Sequence, residues 1–410
     1  MAVRYGNLPF REQLDYLREQ VAVPTRTWTD IYGAEHDQAF MVAGASRQAI
    51  VEDFQRSIRR VIEEGGTIAD FRRDFDDIVK RHGWSYRGSR GWRSRLIFET
   101  NLMQSYHAGR EAQMADPELR RLRPFGLYRH GGSDDPRPEH LAHDGKVVPL
   151  DDPWWDVWSP KNGWGCSCKK YMISREQAER EGYTVSEQGP EIDWEERTVG
   201  ENGPSPRTVR VPRGIDPGFE HRPGSGRGRA LSPSPLGTPA GRPGRSLPAR
   251  RAGDPLPDYR DDETAPFGAD QAPEAYVDDF LAAFGTRRGG DAARFEDAVG
   301  EPLAISDALF DDGRGGVTLP GVGGRELAML AETLRRPDEI WTALDLGSDD
   351  DQRPRLRRRY LARLVLPGGE EGLVLVDWGR DGWSGQRLED LDALNEWRQG
   401  VRLYRRGEED

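Results

Sequence analysis

Cysteine is nearly absent from this sequence of 410 residues: the two it has, Cys166 and Cys168, stand one residue apart. Two thiols exclude a disulfide-stapled scaffold and fit a reducing compartment. A bridge across one intervening residue would be strained, so free thiols or metal ligands read better than a disulfide. No apolar run approaches the roughly 18 residues that a membrane span requires. The opening MAVRYGNLPFREQ lacks the apolar segment of a secretory leader. The expectation is therefore a protein made in solution in a cytoplasm, with no membrane partner. Hydrophobic residues make up only 35% and mean hydropathy is −0.80, which indicates that part of the length is not core. Histidine and lysine are missing altogether from residues 271–410, so no imidazole can serve as acid or base at that end of the chain. The net charge of −12 excludes a protein whose whole surface grips nucleic acid, although a local basic patch remains open.

What the sequence does hold is concentrated in residues 128–168. His140 and His143 are spaced as HxxH and Cys166 and Cys168 as CxC, with Asp134, Asp135 and Asp144 nearby, among Pro/Gly-punctuated turns and the bulky Trp154, Trp155 and Trp158. Tryptophans at this density need cover, so the loop is packed. Imidazole and thiolate are the ligands zinc prefers, four at a time in structural sites. His140, His143, Cys166 and Cys168 are thus the candidate zinc ligands, and a tryptophan-lined structural loop without metal is the alternative.

The length supports two or three domains. Apolar periodicity predicts helices over 8–22, 45–64, 67–83 and 92–114. Thr67 with Asp70 supplies a capping box for the third, and Gly83 supplies its stop. Gly109 on the fourth reads as a close helix contact, and His36, His82 and His107 as ordinary polar-face or capping histidines. Residues 200–270 are crowded with Pro, Gly, Ser and Arg and offer too little apolar surface to offset the entropy of ordering, so they read as a disordered linker. The middle of that linker is arginine-rich without acids, which permits brushing contact with DNA, against the simpler reading of a solvated spacer. Periodicity returns near 273, with helices at 273–284 and 325–336. Strand-like runs at 357–366 and 372–378 are joined by Pro367-Gly368-Gly369, and a last apolar helix lies near 388–397. The fold class expected is multidomain. A mainly α first domain (1–199) carries the loop-rich Trp/His/Cys region, the linker follows (200–270), and a small α+β domain (271–410) packs helices on an antiparallel sheet.

Several ordered motifs resemble a known family. LPFREQLDYLREQ, WTDIYGAEHDQAFMVAGA, GGTIADFRRDFDDIVKRHGW and WRSRLIFETNLMQSYHAGR are followed by Asp135, Arg137, His140, Gly145, Trp155 and GWGCSC. This series resembles the Mu F-like family of phage minor head (head morphogenesis) proteins over residues 5 to about 185. The resemblance implies a low-copy, non-enzymatic head component. Its implied partners are portal, scaffold and capsid proteins, and its implied locations are the host bacterial cytoplasm and then the virion. This sequence departs from the family pattern in two places: Ser159-Pro160-Lys161-Asn162 replaces Pro-Pro-Asn-Gly, and Ser167 stands where the family has Arg between the cysteines.

Further along, FEDAVGEPLAISDALF, the helix beginning near Arg325, PDEIW at 337–341 and RRRYL at 357–361 resemble the phage group of barnase, EndoU, colicin and RelE-like nucleases. This resemblance implies metal-independent RNA cleavage, with RNA as substrate and toxin-like action. The missing histidines direct the chemistry to arginine, carboxylate and tyrosine. The candidates are Arg325 and Arg358 for phosphate charge, Glu339 or Asp338 as base, and Tyr360 as proton donor or stacking face. Two features weigh the other way. Period-two alternation cannot turn Arg357, Arg358 and Arg359 to one side. Residues 271–410 also carry 19 arginines against 29 acids, and the one visible arginine cluster is 353–363. A catalytically degenerate interaction module is the competing expectation.

Overall fold

The computed structural model describes residues 10–201, 206–237, 245–247, 254–261, 271–346, 354–365 and 371–408. The side chains of 229, 245–247, 261, 325 and 346 fall outside that description. Two compact units divide the chain, Met1–Gly226 and Arg227–Asp410.

In the first unit the expected helices form at Arg11–Arg18, Gln48–Glu63, Ile68–His82 and Arg90–Met114. The third begins at the capping box read from the sequence: Thr67 N donates to the Asp70 carboxylate at 2.7 Å, while the Thr67 hydroxyl accepts from Ala69 N at 3.2 Å. It ends at Gly83, whose φ of 57° is the left-handed conformation that a glycine adopts without strain. The apolar faces of these helices meet in one core around Phe54, Phe71 and Phe75, all fully buried, with Phe98 stacked on Phe71 at 5.2 Å. Gly109 is a contact glycine, as expected. A Cβ there would stand 2.7 Å from the Gln13 backbone nitrogen and 2.9 Å from the Phe10 ring, so its bare surface lets the first helix lie against the fourth.

Three expectations change in this unit. His107 is not on a polar face: it is buried at 3% exposure, and burial drives its pKa down to about 3. The loop-rich region also holds a small antiparallel sheet, in which Phe125–Arg129 lies between Val147–Pro149 and Lys169–Ile173. Strands of three to five residues leave too short an alternation to read. The chain also continues folded across the expected boundary at 199 and 200, where Trp194–Val199 pairs with Arg207–Pro212. Beyond that hairpin, Ile215 and Phe219 pack against Trp154, Trp155 and Trp158.

The second unit is built on an antiparallel sheet. Its strand order is Gly382–Leu388, Glu371–Gly379, Pro354–Val365, Glu339–Leu346 and Val401–Arg405, with Arg245–Leu247 and Arg260–Asp261 added at the margins. The expected hairpin pairs Leu361 with Leu375; its connection, including Pro367-Gly368-Gly369, lies outside the described residues. The helices Pro273–Ala283 and Leu327–Arg335 cover one face, packing Val277, Phe280, Leu330 and Leu334 on Ile340, Tyr360, Val374 and Val376. On the other face Leu394 and Trp397, from the helix Leu391–Trp397, meet Trp341, Leu361 and Leu375. This is the α+β arrangement that helical patterns followed by strand patterns imply. No described helix is long and apolar enough to cross a membrane.

Replacement of Gly109 by Ala separates local from tertiary demands. Helix propensity alone would make it stabilising by about 1 kcal/mol. The clash with Gln13 and Phe10 predicts instead a net loss of about 1–3 kcal/mol, read as a lower denaturant midpoint. A raised midpoint would show that the two helices do not meet at this glycine.

Candidate functional site

His140, Cys166 and Cys168 converge although the chain separates them widely. The short helix Pro138–Ala142 turns His140 inward. Its leading residue Arg137 is held by the Asp216 carboxylate at 2.6 Å, and the same carboxylate accepts from Trp164 N at 2.7 Å, which positions the turn leading to Cys166. The ring Nε2 of His140 donates to the Gly214 carbonyl at 2.9 Å, leaving Nδ1 directed at the sulfurs, 3.4 Å from Cys168 Sγ and 3.8 Å from Cys166 Sγ. All three donors lie within 4.8 Å of one another, and all three residues are buried. The Cys168 thiol hydrogen-bonds Cys166, and this contact together with His140 lowers the Cys166 pKa against the opposing effect of burial. Cys168 is correspondingly pushed up by its neighbour and by burial. The buried Tyr128 closes the site, its hydroxyl donating to Asn162 Oδ1 at 3.0 Å.

This donor set suits a soft divalent ion. One nitrogen and two sulfurs face a common point, and the second ring nitrogen is fixed by a backbone carbonyl, the outer-shell bond that metal-bound histidines make. His143, the fourth expected ligand, does not join them. Its ring lies edge-on 4.3 Å from Trp158 and 5.1 Å from Trp154, and burial lowers its pKa to about 4. On the single helical turn that bears both residues, His140 and His143 face different neighbours, one the sulfurs and the other the indoles. Gly214 and Asp216, which fix His140 and Arg137, fall in the stretch read as linker. The signal there was the apolar Ile215 and Phe219, spaced too irregularly for either period.

In the second unit the pleat sorts the candidate catalytic residues onto opposite faces. Residues paired directly across an antiparallel ladder share a face. Ile340 pairs with Tyr360 and Thr342 with Arg358, whereas Glu339 pairs with Leu361 and Trp341 with Arg359. Arg358 and Tyr360 therefore lie on the helix-covered face and Glu339 on the other, so the set proposed from sequence is not one constellation. The Tyr360 hydroxyl donates to Asp297 at 2.9 Å, and burial, reinforced by Asp297, pushes its pKa well up. Arg358 lies 3.1 Å from Asp297 and 3.0 Å from Glu301. Burial opposes its charge, yet Glu301, Tyr360 and Asp297 together hold the guanidinium above its ordinary range. Across the sheet, Glu339 accepts two bonds from Arg398 at 2.7 Å each and one from Trp341 Nε1 at 2.8 Å. Asp338, the alternative base, is fully buried against the Arg406 guanidinium at 2.7 Å and Arg363 N at 2.6 Å; burial is the main cause of its raised pKa. Arg325 sits in the short turn Gly324–Glu326, and its side chain is outside the described residues.

Comparison with known proteins places two domains on this chain. Residues 52–171 match the family described as Phage Mu protein F like protein, and residues 279–405 match the phage-Barnase-EndoU-ColicinE5/D-RelE like nuclease2 family. The chain is 27% identical over 186 residues to the Mu-like prophage FluMu F protein of Haemophilus influenzae, an alignment covering 43% of this chain and 44% of that protein. It is 29% identical over 195 residues to protein F of Escherichia phage Mu, described as a candidate capsid assembly protein, again covering 44% of each. The alignments thus span less than half the length of either relative. No solved structure matches the chain.

Because Arg358 and Arg398 neutralise buried carboxylates, removing either is expected first to destabilise. Arg358→Ala and Arg398→Ala should each cost about 3–5 kcal/mol in urea unfolding of the second unit. A loss under about 1 kcal/mol for Arg358→Ala would free this residue from its structural role and return it to the list of functional cations.

Proposed function

We propose that this chain is a minor component of a tailed-phage head, built into the assembling capsid through its Mu F-like half and carrying a tethered nuclease-like effector in its second half. The observation that carries this reading is the coexistence of the two family matches, in that order, on one chain. Portal, scaffold and capsid proteins are then its partners. The host bacterial cytoplasm followed by the virion is its location, and packaged DNA is a contact for the basic part of residues 200–270. The effector would cleave RNA without a metal, since its domain offers arginines, carboxylates and tyrosine but neither histidine nor lysine. A second reading is favoured by the internal satisfaction of Arg358, Tyr360 and Glu339: the domain is then a degenerate module that binds partners within the head. Incubating the full chain with single-stranded RNA in excess chelator distinguishes them. Cleavage at stoichiometric protein supports the effector, and intact RNA supports the interaction module.

The triplet in the first unit is best read as a zinc site that holds the loop between Tyr128 and Cys168 in shape. His140, Cys166 and Cys168 would supply three donors, leaving the fourth position to water or to a further side chain. Elemental analysis of the purified chain is expected to give one zinc, lost in the double substitution Cys166→Ser, Cys168→Ser and retained in His143→Gln. A folded, metal-free chain would remove the site, and loss of zinc in a folded His143→Gln would restore that residue as a ligand.

A further inference from the structure

On the face of the second unit's sheet opposite the long helices, residues 254–258, Asp-Pro-Leu-Pro-Asp, are held along their backbone by arginines. Arg398 donates to the Asp254 carbonyl at 2.9 Å and Arg405 to the Pro255 carbonyl at 2.5 Å. Arg363 reaches the Leu256 and Pro257 carbonyls at 3.4 and 2.9 Å, and Arg406 takes the Asp258 carbonyl. Five consecutive carbonyls thus face four guanidinium groups. The Asp254 carboxylate adds an ion pair to Arg402 at 3.0 Å and approaches Arg405 at 3.6 Å. Beside this row, Leu256 and Tyr259 pack on the cluster of Trp341 and Trp397, and the Tyr259 ring lies 4.0 Å from the Arg363 guanidinium. Arg260 fastens the end of the segment to Glu332 at 2.6 Å.

An extended chain of oxygen acceptors with an anionic head, lying on a file of arginines beside aromatic faces, has the chemistry of a single-stranded nucleic-acid backbone in its groove: phosphates on cations and bases on rings. Nothing in a solvated spacer requires its carbonyls to be read one after another by guanidinium groups. Of the five arginines, Arg398 is buried on Glu339, whereas Arg402, Arg405 and Arg406 keep part of their surface open at side-chain exposures of 22, 17 and 36% even though Arg406 also holds Asp338 at 2.7 Å, and Arg402 and Arg405 meet Glu408 at 3.0 and 3.4 Å. We propose that the row Arg363, Arg402, Arg405 and Arg406 is the seat for the phosphodiester backbone of single-stranded RNA, and that residues 254–261 occupy it in cis as a strap which RNA must displace. The choice of RNA rests on the nuclease reading above; the occupied groove does not.

The test uses the full chain and a fluorescein-labelled oligouridine, with binding followed by anisotropy across a salt series. Asp254→Ala, and separately Leu256→Ser with Tyr259→Ser, loosen the strap without touching an arginine. Each should tighten binding about tenfold by enlarging the fraction of chains with an open groove. Adding Arg402→Ala and Arg405→Ala to either variant should abolish the gain and reduce the salt slope by about two. If the packing variant fails to fold, Asp254→Ala alone decides. A folded strap variant that binds RNA no better than the wild type overturns the inference, as does a gain that survives loss of Arg402 and Arg405. Tighter binding with no cleavage by any variant supports the strap and counts against the nuclease. Equal binding with cleavage at equal rates sinks the strap and leaves the nuclease standing.

Discussion

A guanidinium withdrawn from water has to be met by carboxylates, and that requirement organises the second unit. Arg359 is wholly buried and is answered by Asp345, with Asp377 at 3.8 Å; Arg357 is answered by Asp377 at 2.9 Å and by Asp381. Arg358 takes Asp297 and Glu301 on the opposite face, and Arg398 takes Glu339. These pairs take arginines and carboxylates out of the surface together, so they account for where both kinds of charge go without removing the acid excess among residues 271–410. The six arginines between 353 and 363 looked like a patch for phosphate, but the three central ones are mostly structural cations. Among the arginines that meet residues 254–258, those that remain partly open include Arg402, Arg405 and Arg406, on the strand Val401–Arg405 and just beyond it.

In the first unit the corresponding constraint is the cover that indole rings demand. Trp154 and Trp158 lie nearly parallel, 13° apart, with the His143 ring edge-on to both, and Trp155 is completely buried. Packing of this kind fixes the helix turn that carries both histidines, and so fixes where His140 points. The sulfur–imidazole triplet is then a second, independent hold on the same loop, joined to residues 214–216 through the Gly214 carbonyl and the Asp216 carboxylate. A loop closed from both sides can present a defined surface without a large core of its own.

The helical part of the fold was legible because its signals are local: the Thr67 and Asp70 box and the Gly83 stop each act within a turn or two of where they are read. The central hairpin was legible for the same reason, through the strand-like runs at 357–366 and 372–378 and the Pro367-Gly368-Gly369 between them. The candidate sites were legible as residue types but not as groupings. His140 and His143 share a spacing that could place both on a metal, and only the surrounding tryptophans decide that one of them goes elsewhere. Glu339 and Tyr360 lie in neighbouring strands, and no sequence pattern states which strand residues end up opposite each other. The docking of residues 254–261 was the least legible. A Pro-rich segment with few apolar residues reads as a spacer, and the arginines that satisfy its carbonyls lie more than a hundred positions further along the chain.

The row Arg363, Arg402, Arg405 and Arg406 is proposed as the seat of a phosphate backbone, occupied meanwhile by residues 254–261 of the chain itself. Hydrogen–deuterium exchange of the full chain, with and without saturating oligouridine, addresses that claim directly. Displacement predicts faster exchange at the amides of Leu256 and Tyr259 through Asp261 when RNA is bound, with the strand Pro354–Val365 unchanged. RNA binding that leaves the exchange of this segment unaltered, or slows it, would contradict the account.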